Sequence, residues 1–211
     1  MSITPANVDL RLDPFTALHR AAFEKALPFA AYVATANEAQ QVRWRTQYEV
    51  ATLADSHRTL LGGFVRRMPI LCVSGIWCGD CMRDGAILQR LAEASPAIEL
   101  RFLDRDVMPE VRDHLRVVGG RRVPATLILD EEFQFVDRLG DRSLATYRRM
   151  AHARLGDSCP TGIAPPAADE VAAITQDVLD RLERAQLLLR LAPHLCERHG
   201  DQPQSARVSA S

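Results

Sequence analysis

In the run Trp77-Cys78-Gly79-Asp80-Cys81, two thiols stand three positions apart. The run follows an apolar stretch, Ile70-Leu71-Cys72-Val73-Ser74, that reads as a buried strand. Met82 to Ala94, which comes next, reads as a helix. The first sulfur therefore falls at a helix N-terminus, where unpaired backbone N–H groups favour an anion. Thiolate is the reactive form of cysteine, and such a setting lowers its pKa from about 8.5 towards about 7 or below. A shift of that size favours the thiolate by about 2 kcal/mol. The second sulfur is close enough to close a small ring, so the pair can store two electrons and release them by disulfide exchange. Cys78, at the helix start, is the candidate nucleophile. Cys81 is the candidate resolving thiol, which attacks the mixed disulfide and frees the product. Trp77 either walls the site or packs as a core aromatic; its type alone leaves both open.

The elements around the pair alternate. Ser95-Pro96 turns the chain into a strand over 98–103, and Pro109 to Val117 reads as a short helix closed by Gly119-Gly120. Residues 125–129 and 134–139 read as an antiparallel hairpin, and another helix starts near Arg142 or Ser143. Strands separated by helices predict an α/β fold. Upstream, residues 14–64 look helical. Asp13-Pro14 is a start signal, and Phe15, Leu18, Ala22 and Leu27 can share one face. Pro28 breaks that helix. A second stretch runs from about Asn37 to Leu61, with Tyr48, Leu53, Leu60 and Leu61 as its apolar positions, and Gly62-Gly63 ends it. Downstream, a Gly/Pro/Ala loop leads to a long amphipathic helix from Asp169 to Leu191. In it Val171, Ile174, Val178, Leu182 and Leu189 fall at helical spacing, and Pro193 ends or kinks it. The expected organisation is a helical extension (1–67), the α/β domain (68–155), a loop and helix (156–199) and a disordered tail (200–211).

With a net charge of −1, nothing suggests a nucleic-acid or anionic-membrane surface. No apolar run approaches the roughly 20 residues of a membrane span. Met1 to Asp13 carries acids and lacks an apolar signal core, so the expected location is cytoplasmic. Five cysteines in such a chain argue against a structural disulfide framework.

Further along, Leu103-Asp104-Arg105-Asp106, Gly119-Gly120-Arg121-Arg122-Val123-Pro124 and Leu129-Asp130 follow the cysteine motif at the spacing of strand, helix and strand. With Trp77, Cys78, Gly79, Cys81 and Gly140, they make residues 69–149 resemble the thioredoxin superfamily, in a bacterial branch distinct from thioredoxin itself. The resemblance implies a thioredoxin-like fold, a central mixed sheet flanked by helices. It implies thiol–disulfide exchange with a protein or small-thiol disulfide, and a reductase or low-molecular-weight thiol as electron donor. No organic cofactor is needed, because the cysteines carry the electrons. The resemblance also implies a cis bond before Pro124. That bond would expose the Val123 backbone to an incoming peptide and keep metal from the cysteines. Arg121 and Arg122, just before it, steer an acidic substrate, help hold the Cys78 thiolate, or are solvated loop charges.

Three positions depart from the thioredoxin pattern. Asp80 stands where thioredoxin has a proline. A carboxylate suits the helix N-terminus but opposes the Cys78 thiolate by about 1 kcal/mol, so a milder pKa depression is expected. Cys72 stands where thioredoxins carry a buried acid that takes the resolving thiol's proton, and it cannot do that work at neutral pH. Asp104 is a candidate substitute. Ala86 replaces a helix proline, so a straighter helix is expected.

Cys159, in the loop, is a bystander or a relay thiol, and Cys196 a bystander. His194 and His199 flank Cys196 without a zinc spacing and suit the solvation of a helix end. Two further readings compete with oxidoreductase: a binding or scaffold module on the same fold, and a metal site completed by two more ligands.

Overall fold

Burial of apolar faces organises residues 13–156 and 169–201, the residues described in this computed structural model. Helices α1 (Thr16–Lys25), α2 (Phe29–Ala34), α3 (Glu38–Val50) and α4 (Asp55–Gly62) precede strand β1 (Met68–Ser74). Then come α5 (Gly79–Glu93), β2 (Ile98–Asp104), α6 (Pro109–His114), β3 (Ala125–Leu129) and β4 (Phe135–Gly140). Helices α7 (Leu144–Leu155), α8 (Glu170–Leu191) and α9 (Pro193–His199) follow. The sheet runs β2-β1-β3-β4. β1 pairs parallel with β2, and β3 pairs antiparallel with both β1 and β4. All seven residues of β1 are buried, which accounts for its unbroken apolar run. This is the α/β fold with a mixed central sheet and flanking helices that the sequence led us to expect.

The N-terminal helices differ from expectation in face and length. The buried residues of α1 are His19, Ala22 and Phe23, whereas Phe15 and Leu27 are exposed. Leu27 lies beyond the helix because its backbone is otherwise engaged: it exchanges two 2.8 Å hydrogen bonds with Phe102 on the outer edge of β2. That bridge covers an edge that would otherwise offer unpaired backbone groups. The stretch from Asn37 to Leu61 is two helices, not one. Asn37 and Gln40 form a reciprocal capping box that starts α3. Ala51, buried and extended, ends it. The anchor of α3 is Trp44, fully buried, while Tyr48, Leu53 and Leu60 only flank the core.

Trp44 is the link between these helices and the cysteine loop. Its indole N–H donates to the Ile76 carbonyl at 3.0 Å, one residue before Trp77. Its ring meets Tyr32 edge-on at 5.7 Å, and Tyr32 stacks on Phe102 at 5.4 Å. The ring fits because α5 carries Gly85 opposite it: a Cβ there would sit 2.9 Å from Trp44 and 3.0 Å from Phe102.

At the other end, α8 buries Ile174, Val178, Leu182 and Leu189 as its spacing predicts, and the chain turns at Pro193 into α9. Gln186, also buried, accepts from the Val65 and Arg66 N–H groups and donates to the Arg66 carbonyl. It thereby ties α8 to the entry of β1. Cys159, most of the Gly/Pro loop and most of the expected tail lie outside the described residues. Among the described residues, no helix is long and apolar enough to cross a membrane.

The Gly85 contact generates a test. Alanine normally favours a helix interior over glycine by about 1 kcal/mol. Here Gly85→Ala should instead destabilise by about 1–3 kcal/mol, because the methyl group overpacks Trp44 and Phe102. The midpoint of urea unfolding measures it, and an unchanged or raised midpoint would refute the wedge.

Candidate functional site

Cys78 is the N-cap of α5, and its Sγ accepts the Cys81 backbone N–H at 3.4 Å. Cys78 is half-buried, whereas Cys81 is fully buried. The Gly75 N–H donates to Cys81 Sγ at 3.4 Å. The two thiols therefore have opposite surroundings. Cys78 is pushed down to about 6, chiefly by a hydrogen bond from the Cys81 thiol, with the Cys81 and Asp80 backbone N–H groups adding to it. Burial and the Asp80 charge act against this. Cys81 is pushed strongly up, first by burial and then by Cys78. Charge settles on the outer sulfur and the proton on the inner one.

Asp80 opposes the thiolate, but the milder pKa depression expected from it does not follow: Cys78 still falls to about 6, because the carboxylate is not a free charge. Its Oδ2 accepts from Arg142 at 2.7 Å, and Arg83 lies 3.3 Å from Oδ1. Cys72 is fully buried beside Thr126 and pushed up to about 12 by burial, so it stays a thiol at neutral pH. α5 runs unbroken past Ala86.

A groove of about 340 Å³ opens beside Cys78, lined by Trp77, Arg105, Arg121, Arg122, Val123 and Arg142. Trp77 is 55% exposed, which removes the core-aromatic reading. Its indole lies over Gly75, where a Cβ would sit 3.1 Å from the ring. Gly79 is the first residue of α5, with open space around its Cα. Arg121 and Arg122 both face the groove, and each already holds a carboxylate: Asp113 at 2.6 Å and Asp141 at 3.2 Å. The Val123–Pro124 bond is cis, and the Val123 carbonyl accepts from Cys78 Sγ at 3.7 Å. Arg105 and Arg142 escaped the sequence reading because nothing in their spacing ties two strand-end arginines to one groove.

Asp84 was missed as well. It is buried, paired with Arg83 at 2.8 Å, and pushed up to about 6 by burial. With Pro124, Thr126 and Leu139 it lines a cavity of about 310 Å³ behind the cis-proline. A signal was present: Asp84 lies three residues after Cys81 and four before Leu88, on the face that α5 buries.

Metal has a weaker claim. Asp130, Glu132 and His194 bring one ligand atom each within 4.8 Å. However, Asp130 Oδ1 already accepts two backbone N–H groups, and Arg198 holds Glu132 at 2.5 Å. His199 pairs with Glu131 at 2.9 Å, and Cys196 donates to the Arg190 carbonyl at 3.1 Å. These histidines serve the β3–β4 turn rather than simply solvating a helix end.

A family model described as thioredoxin matches residues 26–154. No curated protein matches the chain. Among solved structures, a Pseudomonas aeruginosa protein of unknown function, PA1234, is 24% identical, with a TM-score of 0.60 over 78% of this chain and 96% of its own. An HIV epitope-scaffold is 23% identical, with a TM-score of 0.60 over 78% of this chain and 97% of its own. At these identities the likeness concerns the fold alone.

Two tests follow from the charges. Arg142→Ala should unmask Asp80 and raise the Cys78 pKa by about half a unit, read from thiolate absorbance. Cys81→Ala should remove the side-chain donor to Cys78 and also raise that pKa. The second test concerns Asp84, whose folded carboxyl holds its proton to about pH 6. An unfolded aspartate releases its proton near pH 4. The folded state thus binds the extra proton between those values, and stability falls as pH rises through that window. Relative to Asp84→Asn, the wild type should lose on the order of 2 kcal/mol between about pH 4 and 7. A constant difference across the range would refute this.

Proposed function

This chain belongs to the thioredoxin family, and from that premise we propose that it is a thiol–disulfide oxidoreductase working through Cys78 and Cys81. One observation carries the reading: the half-buried Cys78 sulfur caps α5 and accepts the Cys81 N–H, with Cys81 buried beside it and the cis Val123–Pro124 bond facing it. Cys78 thiolate attacks a substrate disulfide, giving a mixed disulfide and one substrate thiolate. Cys81 then attacks Cys78 Sγ, the Cys78–substrate bond breaks, and the second substrate thiolate leaves. The substrate is reduced and the pair is oxidised. The groove walled by Trp77 and Val123 receives the substrate, and Arg121 and Arg122 orient acidic groups on it. A cytoplasmic setting, with a reductase or small thiol restoring the dithiol, completes the proposal.

The Cys78 pKa also sets an expected potential. Thioredoxin combines a pKa of about 7 with about −270 mV. A thiolate one unit more acidic stabilises the reduced form by about 1 kcal/mol at pH 7, or about 20–30 mV. The pair should therefore lie near −245 mV. Equilibration in glutathione and dithiothreitol buffers, with the Cys78–Cys81 disulfide scored by mass, measures it. Cys78→Ser should lose the transition. If no reversible disulfide forms, the oxidoreductase reading fails and a binding module takes its place.

A further inference from the structure

Resolution of the mixed disulfide requires Cys81 to lose a proton, and this step rests on the oxidoreductase reading. While Cys78 is a thiolate, it accepts the Cys81 S–H itself. Once Cys78 Sγ is bonded to substrate, that acceptor is gone. Cys81 is fully buried, so bulk water cannot take its place. The neighbouring Gly75 N–H is only a donor. Cys72 remains a protonated thiol.

Two hydroxyls without a structural task lie beside it. Ser74 ends β1, next to Gly75, and shares a face of the strand with Cys72. Tyr32 reaches the same place from α2. Both are almost wholly buried, at 0% and 1% exposure. The Tyr32 phenol is aimed at Ser74, and its charged or ionisable neighbours are Cys72, Cys81 and Asp104. Yet neither hydroxyl oxygen meets hydrogen-bond geometry with any group among the described residues. Buried hydroxyls left this way are costly and call for an explanation. Asp104 lies opposite Ser74 in the β1–β2 register and is half-buried at the end of β2.

The geometry points to Ser74 and Tyr32 as the proton path for Cys81, leading to the Asp104 carboxylate. A hydroxyl both accepts and donates, so the pair passes a proton without carrying charge. The Cys81 S–H bond breaks, and the proton moves through the hydroxyls to Asp104. The freed electron pair on Cys81 forms the S–S bond with Cys78 Sγ, and the substrate sulfur leaves as thiolate. The proton later passes from Asp104 to solvent. The N-terminal helices, through Tyr32, thereby supply what the strand lacks at Cys72.

Stopped-flow reaction with the chromogenic disulfide DTNB separates the two steps. Attack by Cys78 releases a first thionitrobenzoate, and resolution by Cys81 releases a second. Tyr32→Phe keeps the ring packing on Phe102 and Trp44. In Tyr32→Phe and in Ser74→Ala the first phase should be unchanged and the second slowed by about tenfold or more, the weak end of positioned proton transfer. The slowed phase should also rise more steeply with pH, because without the path it proceeds only through local openings that admit hydroxide to Cys81. A merely structural role for Tyr32 would lower the unfolding midpoint and leave this profile alone. An unaltered second phase in Tyr32→Phe overturns the proposal, as does a second phase lost in Asp84→Asn but kept in Tyr32→Phe. A wild-type protein releasing only one equivalent overturns the oxidoreductase reading itself, and this step with it.

Discussion

One proton shared unequally between two sulfurs is the constraint on which the structure turns. Cys78 can hold negative charge because the start of α5 offers it unpaired N–H groups and because Cys81 donates its S–H. Cys81 can donate only because burial keeps it protonated. That burial needs β1 packed on all sides, and the strand needs α5, α8 and the N-terminal helices around it. A more exposed inner thiol would compete for the charge. A fully buried outer thiol would lose both charge and access.

The charges nearby modulate this arrangement without governing it. Asp80 alone would act against the thiolate at the very position where a helix favours acids. Arg142 and Arg83 hold it in ion pairs instead. The arginines of the groove are likewise partnered by aspartates, so the surface at the reactive sulfur is polar and nearly balanced. Balanced pairs orient a bound group at short range but have little reach through salt water. Contact geometry at Trp77 and Val123 matters more for what docks there than long-range attraction.

Much of this was legible in the residues themselves. The cysteine spacing, the strand before it and the helix after it predict the N-cap position of Cys78. Strong local signals also located the hairpin of β3 and β4, the start of α7 at Ser143 and the apolar stripe of α8. The N-terminal helices were read less well, because their faces are set by partners distant in the chain. Leu27 belongs to the edge of β2 rather than to a helix. Trp44 is buried only because Gly85 lies opposite, and no local pattern links residues so far apart in sequence. Asp84 was overlooked for a different reason: an acid in a helix reads as solvated unless its face is known to be buried. The pairing of Arg105 with Arg142 across one groove required the fold itself.

The chain has two tryptophans, and the fold sorts them. Trp77 is over half exposed beside Cys78, while Trp44 is fully enclosed behind the loop and hydrogen-bonded to it. One indole emits from a wet environment next to the reacting sulfur, the other from a dry one. The molecule thus carries two intrinsic fluorophores with separate duties. A change confined to the red-shifted emission reports chemistry at the sulfur. A change in both reports loss of the fold. Thiol exchange and unfolding can therefore be followed in the same cuvette, without a label.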